Sequence, residues 1–377
     1  MNRIVILGCG FAGLSAASHL SRCTRRKKDL EVLAIDKNRY FNFLPMLPDC
    51  LGRGVNPEFL IYDTENFLKA RNIKFLNSQA SAIVLDKQEV RIAGQALAYD
   101  YLLIASGTET NFYGNDALRE NAYKLDSIDD VRKIRQALIK DSYDTYIISG
   151  GGYTGIEVAT NLRLYLEKKS LNKRVVIVER APAILGPLPQ WMKDYVQKNL
   201  KGLNIEVFTD NAIKEARGRE ILLAGGRKFS NAMLIWSAGV RTADYIQNLG
   251  VKKNPQGRIE VDDYLRLNTN CFVAGDASLF RYRDTSLRMS VQFAITQGRH
   301  AALNIMRSIS GQPLLTYRPE DPGYIIPLAN NRACGTIFGK DMRGYFPIML
   351  HYLMCLYRMR GFGNKLGIIK NLTTEDR

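Results

Sequence analysis

The apolar residues of this chain fall into short runs separated by amphipathic stretches, a pattern typical of buried parallel strands that alternate with helices. The first run covers residues 4–7, and a glycine turn followed by a small-residue helix is predicted at 8–20. The same strand, turn and helix return at 146–159, and 142 residues separate Gly13 from its counterpart Gly155. The repeat predicts two related α/β units in one chain.

Each copy is followed by a second strand that ends in an acidic residue. Residues 31–35 lead to Asp36, and residues 175–178 lead to Glu179. In dinucleotide-binding units the glycines turn the chain and admit the pyrophosphate, while the strand-end acid accepts hydrogen bonds from a ribose. Two such turns with matched acids therefore predict two dinucleotide sites, for example FAD at the first and NADH at the second. Glu179 favours NADH over NADPH, although the adjacent Arg180 is a residue type that can bind a 2′-phosphate.

Further apolar runs complete the two units. Residues 101–104 and 233–236 each lead into a turn of small residues, and residues 271–273 precede a Gly-Asp pair whose acid is Asp276. A capped helix is predicted to begin after Ser127, because an acid stands three residues later.

The cysteines and histidines exclude several kinds of chemistry. Six cysteines are scattered without CxxC or CxxxxC spacing, and the chain has only three histidines. This argues against zinc ribbons, iron–sulfur clusters and a local redox dithiol, so we expect no metal site. A disulfide between distant cysteines, such as Cys50 and Cys334, stays open.

The composition carries a surplus of positive charge. The chain has 53 Lys+Arg against 37 Asp+Glu, a formal net charge of +16, yet no nucleic-acid-binding motif accompanies it. Residues 345–357 form an apolar and aromatic stretch too short to span a bilayer, and the surrounding segment 340–370 carries a net +5. This combination predicts an interfacial membrane helix, with a core or dimer-interface helix as the alternative. A second basic cluster at 22–28 is expected to be a solvated loop.

With these motifs in place, the chain resembles the two-dinucleotide-binding flavoproteins of the pyridine nucleotide-disulfide oxidoreductase type. Within them it most resembles the type II NADH dehydrogenases, which are single-subunit NADH:quinone oxidoreductases. The resemblance covers almost the whole chain. Besides the two fingerprints, it rests on residues 40–47, 236–241 and 274–276, and on Gln292 and Gln297 before Gly298.

The resemblance implies an α/β fold with two Rossmann-like dinucleotide-binding domains, the second inserted in the first. The implied FAD-binding domain comprises residues 1–110 and 241–328, and the implied NADH-binding domain comprises residues 111–240. A C-terminal amphipathic membrane-binding segment at 329–377 follows.

The resemblance also implies FAD as cofactor and NADH as substrate, and it assigns residues to both. The implied FAD contacts are Gly8, Cys9, Gly10, Phe11, Ala12, Gly13, Asp36, Lys37, Pro45, Ala80, Ser106, Gly107, Asp276, Val291 and Gln292. The implied NADH contacts are Gly150, Gly152, Tyr153, Thr154, Gly155, Glu157, Glu179, Ala238 and Gly239.

The implied activity is non-proton-pumping NADH:quinone oxidoreduction, in which hydride passes from NADH to flavin N5 and two electrons then pass to a membrane quinone. The resemblance places Glu157 near the nicotinamide, where apolar surroundings would raise its pKa and allow proton transfer. Gln292 would bond the flavin or a quinone carbonyl, and Lys340 matches a lysine near the quinone pocket. The structural alternatives are a helix-start carboxylate, a surface amide and an exposed lysine, respectively.

Two departures from the family pattern bear on the quinone side. Ala277 stands where the family often has cysteine, and Thr296 stands where it often has glutamine. The nearest alternative is a sulfide:quinone oxidoreductase, which needs cysteines beside the flavin and has no use for an intact NADH site; Cys334 keeps that alternative open. A non-catalytic NADH-binding regulatory flavoprotein is the alternative of another class.

The expected partners are NADH, a membrane quinone and the membrane surface, the last through residues 341–377. No nucleic-acid partner is expected, and the oligomeric state stays open, with a homodimer as one option. The chain begins at once with a predicted strand, which leaves no room for a targeting segment. We therefore expect a peripheral protein at the cytoplasmic face of a prokaryotic cell membrane.

Overall fold

The computed structural model describes residues 2–24 and 29–374, and these form two compact units. The first unit comprises Met1–Phe41, Asp63–Glu109 and Val240–Asp321, and the second comprises Asn42–Tyr62, Thr110–Gly239 and Pro322–Arg377. Most of the predicted basic cluster at 22–28 and the last residues of the predicted membrane segment lie outside the described residues.

The main sheet of the first unit is parallel except for one edge strand. Its strand order is Arg266–Asn268, Cys271–Val273, Tyr101–Ile104, Asn2–Leu7, Leu30–Asp36 and Lys74–Asn77. Only the pairing of the first two of these strands is antiparallel. The central strands are rich in Val, Ile and Leu, most of whose side chains are buried, as expected for a sheet covered on both faces.

The helices Phe11–Thr24 and Val291–Ile309 pack closely in this unit. A Cβ atom on Gly298 would lie 2.0 Å from the carbonyl oxygen of Ala12, so only glycine permits this approach. The remaining helices of the unit are Thr64–Lys69 and Asp244–Gln247, with 3₁₀ turns at Leu85–Lys87 and Gly275–Ala277. Its remaining strands are Ala80–Val84, Glu89–Ile92, Gln95–Ala98, Ile259–Glu260, Ser278–Leu279, Arg281–Tyr282 and Thr285–Ser286.

The second unit repeats this arrangement with a fully parallel sheet. Its strand order is Ile205–Phe208, Arg174–Val178, Thr145–Ser149 and Ala232–Trp236. Antiparallel strands accompany it at Ile213–Arg217, Glu220–Leu223 and Lys228–Phe229. Its helices up to residue 239 are Asp49–Gly52, Asp116–Asn121, Ile128–Lys140, Tyr153–Lys168 and Gln190–Gly202, with 3₁₀ turns at Leu44–Met46 and Pro57–Leu60. The predicted cap is confirmed, because the Ser127 hydroxyl accepts a hydrogen bond from the Asp130 amide.

The C-terminal part of the second unit is a β-meander followed by two helices. The strands are Gly323–Leu328, Arg332–Ile337 and Lys340–Gly344, and the helices are Tyr345–Arg358 and Phe362–Thr374. Short strands at the unit boundaries are Tyr40–Asn42, Ile61–Asp63, Glu109–Thr110 and Val240–Arg241. None of the described helices is both long enough and apolar enough to cross a bilayer.

The predicted mixed α/β fold with two Rossmann-like units is confirmed. Compactness groups residues 42–62 and 322–328 with the second unit, whereas the implied FAD domain includes them. The assignment of a cofactor to each domain stays a prediction.

Candidate dinucleotide and catalytic site

The two glycine turns have the same backbone geometry. The φ angles of Gly8 and Gly150 are +98° and +110°, which glycine adopts without strain. A Cβ atom on Gly13 would lie 1.8 Å from the carbonyl oxygen of Gly8, and one on Gly155 would lie 1.9 Å from that of Gly150. No side chain fits at either position, so helix and strand approach each other as a dinucleotide fold requires.

The middle glycines leave open space at the start of each helix. Apart from the chain neighbours of each glycine, no atom of the described residues lies within 4 Å of a Cβ atom built on Gly10 or Gly152. Each of these glycines accepts a helical hydrogen bond, from the amides of Leu14 and Ile156 respectively. Since free N–H groups and the positive end of the helix dipole point into this space, both turns can hold a pyrophosphate.

The two strand-end acids hold their glycine turns in the same way. The Asp36 carboxylate accepts hydrogen bonds from the amides of Cys9 and Asn38, at 2.6 and 2.7 Å. The Glu179 carboxylate accepts bonds from the amide of Gly151 and from that of Ala181, both at 2.7 Å. Burial raises the pKa of Asp36, and the two amide bonds oppose this rise. Each carboxylate oxygen keeps a further lone pair for a ribose hydroxyl.

Asp276 lies in a turn that hydrogen bonds to the Gln297 side chain hold in place. The Gly275 amide and the Ser278 hydroxyl both donate to the buried side-chain oxygen of Gln297, at 2.8 and 2.9 Å. Burial raises the pKa of the half-buried Asp276 carboxyl, and the Arg258 guanidinium opposes the rise. None of the described residues donates a hydrogen bond to this carboxylate. Gln297, which belongs to the family pattern, is thus a structural amide here.

The other predicted FAD contacts are divided between the two units. Those in the first unit are Phe11, Ala12, Lys37, Ala80, Ser106, Gly107, Val291 and Gln292. Lys37 pairs with Glu109 at 3.2 Å, and Gln292 lies at the second position of the helix Val291–Ile309. Pro45 belongs to the second unit, in the 3₁₀ turn Leu44–Met46.

All predicted NADH contacts lie in the second unit. Tyr153, Thr154 and Glu157 belong to the first turns of the helix Tyr153–Lys168. Ala238 and Gly239 follow the neighbouring strand, and a Cβ atom on Gly150 would lie 3.1 Å from the Ala238 amide nitrogen. The structure thus brings the second glycine turn and this strand end together.

A tyrosine that no motif marks lies beside these NADH contacts. A Cβ atom on Gly239 would lie 2.1 Å from the hydroxyl oxygen of Tyr113. Tyr113 is exposed and has a positive φ of 54°, in a loop tied to the sheet because the Trp236 indole donates to the Asn111 carbonyl. Tyr113 and Gly239 are far apart in the sequence, so the spacing of the motifs does not predict their contact.

The predicted catalytic residues have different surroundings. Glu157 is half-buried; burial raises its pKa well above the ordinary value, and the Asp49 charge adds to the rise. Lys340 is exposed at the start of the strand Lys340–Gly344 in the second unit, whereas Gln292 lies in the first unit. Their catalytic roles stay predictions.

The cysteines and histidines have structural surroundings. The six cysteines lie in the described ranges and are free thiols. Cys334 is fully buried in a strand, and burial raises its pKa to about 12, so it is not a ready thiolate. Burial and the charges of Arg53 and Arg358 lower the pKa of His351 to about 4. Within residues 2–24 and 29–374, no three acidic, cysteine or histidine side chains could hold a metal ion together.

Comparison with known proteins identifies the family. A family model described as pyridine nucleotide-disulphide oxidoreductase matches residues 2–298. The chain belongs to this family. The type II NADH:quinone oxidoreductase of Staphylococcus haemolyticus is 26% identical and covers 91% of each chain. The demethylphylloquinone reductase NdbB of Synechocystis is 26% identical, over 99% of this chain and 96% of that protein.

A solved structure of the same fold extends the likeness over the full length. NDH2 from Plasmodium falciparum in complex with NADH has a TM-score of 0.84 at 18% identity, covering 100% of this chain and 98% of that one. The family expected from the resemblance is therefore confirmed. The residues of the first unit also fit the FAD that this resemblance implies, because Gly10 leaves open space at a helix start and Asp276 lacks a donor among the described residues.

Proposed function

We propose that this member of the pyridine nucleotide-disulphide oxidoreductase family is an FAD-dependent NADH:quinone oxidoreductase of the type II NADH dehydrogenase class. The observation that carries the proposal is the pair of glycine turns with matching geometry and matching acids. Similarity to a type II NADH:quinone oxidoreductase and to a demethylphylloquinone reductase, over most of the chain, supports a quinone as the electron acceptor.

The first unit would hold FAD. Gly10 and the helix that follows it would bind the pyrophosphate, Asp36 would accept a bond from the adenosine ribose, and Asp276 would accept one from a hydroxyl of the ribityl chain. When bound, FAD would supply the hydride acceptor and the redox chemistry needed to reduce a quinone. Lys37, held by Glu109, would carry positive charge beside the acid.

The second unit would hold NADH. The open space at Gly152 would admit the pyrophosphate, and Glu179 would accept bonds from the 2′- and 3′-hydroxyls of the adenosine ribose. The Glu179 carboxylate would repel the 2′-phosphate of NADPH, so we infer a preference for NADH. The exposed Arg180 could bind that phosphate and would then weaken the preference.

Glu157 would hold a proton in the catalytic site. Its raised pKa keeps the carboxyl neutral at a pH where an ordinary glutamate is ionised, so it can act as a general acid. Gln292 and Lys340 would bind polar atoms of the flavin or the quinone, as an amide and as a cation respectively.

The C-terminal helices would contact a membrane surface. They expose large apolar side chains, namely Tyr345, Phe346, Met349, Leu353, Met354, Tyr357, Phe362, Leu366 and Ile369. Four of them recur at every fourth residue of the helix Tyr345–Arg358 and therefore share one face. Arg360 and Lys370 are exposed nearby, as an interfacial helix beside anionic lipid requires. This apolar face would bring the protein to a lipid-soluble quinone at the cytoplasmic side of a membrane, as a monomer or a homodimer.

Steady-state assays with different electron donors test the function. Purified holoenzyme would be mixed with a water-soluble quinone and with NADH, NADPH or sulfide in turn. The proposal predicts rapid quinone reduction by NADH, slower reduction by NADPH and none by sulfide. Quinone reduction by sulfide but not NADH would identify a sulfide:quinone oxidoreductase, and no reduction by any donor would favour a regulatory flavoprotein.

A further inference from the structure

A buried carboxylate outside the glycine turns belongs to a segment that packs on the helix carrying Glu157. Asp49 begins the short helix Asp49–Gly52 and is only 5% exposed. Its carboxylate accepts a hydrogen bond from the Tyr352 hydroxyl at 2.9 Å, and the Arg53 Nε atom lies 3.5 Å from its Oδ1 atom. These two partners fix the position of the buried carboxylate.

The segment that carries Asp49 is seated directly on the helix that carries Glu157. A Cβ atom on Gly52 would lie 2.1 Å from the carbonyl oxygen of Asn161, so the two backbones touch and only glycine fits. The Lys168 ammonium donates a hydrogen bond to the Gly52 backbone carbonyl at 3.2 Å. The Asn161 side-chain amide donates one to the Glu157 backbone carbonyl at 3.0 Å. Asp49 and Glu157 therefore belong to one rigid local arrangement.

The inner side of the C-terminal helix Tyr345–Arg358 completes this arrangement. Tyr352 lies on the inner side, since its hydroxyl reaches Asp49, and Cys355 on the same side is buried. The Arg53 guanidinium stands 5.4 Å from the centre of the Tyr352 ring and donates to the Ala329 carbonyl at 3.0 Å. Arg53 thus holds the phenol and the carboxylate together.

Among the groups around Glu157, Asp49 is the one whose negative charge raises the Glu157 pKa. Among the described residues, the titratable and charged groups around this pair include Cys50, Arg53, His351, Tyr352, Cys355 and Arg358, and Lys168 at the Gly52 carbonyl. Arg135 faces Cys50 from the helix Ile128–Lys140. Burial raises the pKa values of Tyr352 and of both thiols and lowers that of His351, so these groups are neutral near pH 7. Arg53 offsets part of the Asp49 charge, yet Asp49 still favours the protonated form of Glu157.

We propose that Asp49 is a positioning residue that keeps a proton on Glu157, and that Tyr352 of the C-terminal helix holds Asp49 in place. The inference rests on the proposed function, in which Glu157 is the proton-holding group of the NADH site. It assigns the inner side of the C-terminal helix a role in catalysis, separate from the membrane role of its outer side.

Infrared spectroscopy of the oxidised holoenzyme, without NADH or quinone, measures the ionisation of Glu157 directly. The carboxyl band of Glu157 is identified by its loss in Glu157→Gln, and its intensity is followed against pH. In Asp49→Asn we expect the midpoint of Glu157 ionisation to fall by about one pH unit, because a nearby negative charge is removed. Tyr352→Phe should lower it by a smaller amount, and Asp49→Glu, which keeps the charge, should restore the wild-type value.

A matched control removes an exposed acid of the same unit. Asp194→Asn lies on the helix Gln190–Gly202 and should leave the midpoint unchanged. A folded Asp49→Asn variant with the wild-type midpoint would overturn the proposal. If Asp49→Asn does not fold, Tyr352→Phe decides, since a wild-type midpoint there would overturn it as well.

The pH profile of NADH:quinone turnover gives a second readout. The alkaline limit of activity should move to lower pH in Asp49→Asn and Tyr352→Phe, and not in Asp194→Asn. Shifted infrared midpoints in a protein that does not oxidise NADH would reject the proposed function and keep the Asp49 assignment. Normal NADH:quinone turnover with unshifted midpoints would reject the Asp49 assignment alone.

Discussion

Individual glycines of the second turn have separable roles. A Cβ atom on Gly155 would overlap the Gly150 carbonyl, whereas one on Gly152 would meet no described atom beyond its chain neighbours. We expect Gly155→Ala to lower the free energy of unfolding by about 2 kcal/mol or more, since the helix must move from the strand. Gly152→Ala should leave stability near wild type and still raise the KM for NADH about tenfold, because the methyl group occupies the pyrophosphate space.

Thermal unfolding and NADH kinetics on both variants check this pair. Equal losses of stability in the two variants would contradict the separation of packing and ligand roles.

Glu157 should make stability depend on pH in a defined direction. Because the pKa of Glu157 is raised in the folded state, the folded protein binds this proton more tightly than the unfolded chain does. Relative to Glu157→Gln, the wild type should therefore be most stable below the ordinary glutamate pKa of about 4.3 and lose that advantage as pH rises through the raised pKa. Denaturant unfolding of both proteins over a pH series measures the difference, and a difference that does not change with pH would refute the raised pKa.

Sequence spacing identifies some of these residues and misses others. Asp36 and Glu179 follow from the glycine turns because strand and turn lengths are local. Asp49 and Tyr352 stand 303 positions apart, so no local pattern shows that they share a hydrogen bond. The same limit applies to Tyr113, which reaches Gly239 only through the folded chain.

At the scale of elements, the C-terminal region contains more than its sequence pattern predicted. The helix expected at 345–357 is present as Tyr345–Arg358, and the structure adds the strand Lys340–Gly344 before it and the helix Phe362–Thr374 after it. Gly344 and Gly361, with φ angles of +99° and +85°, separate these elements, because a left-handed backbone ends one element before the next begins. The strand–helix order of the nucleotide units was predictable, since long buried strands give continuous apolar runs.

The outer face of the helix Tyr345–Arg358 gives a test of membrane contact. Leu353 and Tyr357 are 63% and 79% exposed, and replacing either with glutamate puts an anion into the apolar face. We expect each variant to bind anionic vesicles about tenfold more weakly, a loss of about 1.4 kcal/mol. Ile139→Glu is the matched control, because Ile139 is 76% exposed on the helix Ile128–Lys140.

Vesicle cosedimentation compares the three variants. Unchanged binding of Leu353→Glu and Tyr357→Glu would show that this face does not meet the membrane. Point variants are preferable to truncation of residues 341–377, since removal would also break the Tyr352–Asp49 bond.

For the whole molecule, the repeat predicted two nucleotide units and the resemblance implied the family, while the compact division of the chain was not predictable. The segment 42–62 follows the first fingerprint in sequence, yet it packs in the second unit. In one of its contacts, the Asn364 side-chain amide donates a hydrogen bond to the Ile61 carbonyl. The two residues are 303 positions apart in the sequence. The net charge of +16 is assigned only in part, to the C-terminal helices.

The assignment of one dinucleotide to each unit is testable with a pair of acid variants. Glu179→Ala should raise the KM for NADH about tenfold and leave FAD content near wild type, because its carboxylate would bind the NADH ribose. Asp36→Ala should instead lower FAD content. Flavin content after gel filtration and NADH kinetics measure both, and loss of FAD from Glu179→Ala would mean that the sites are assigned in reverse.

In the proposed function, electrons pass from NADH to a quinone through one bound flavin. The flavin absorbance follows this path when the purified holoenzyme is mixed anaerobically with one equivalent of NADH and then with one equivalent of quinone. We expect rapid bleaching by NADH and full recovery by the quinone. A flavin that NADH does not bleach, or that the quinone does not reoxidise, would contradict this electron path.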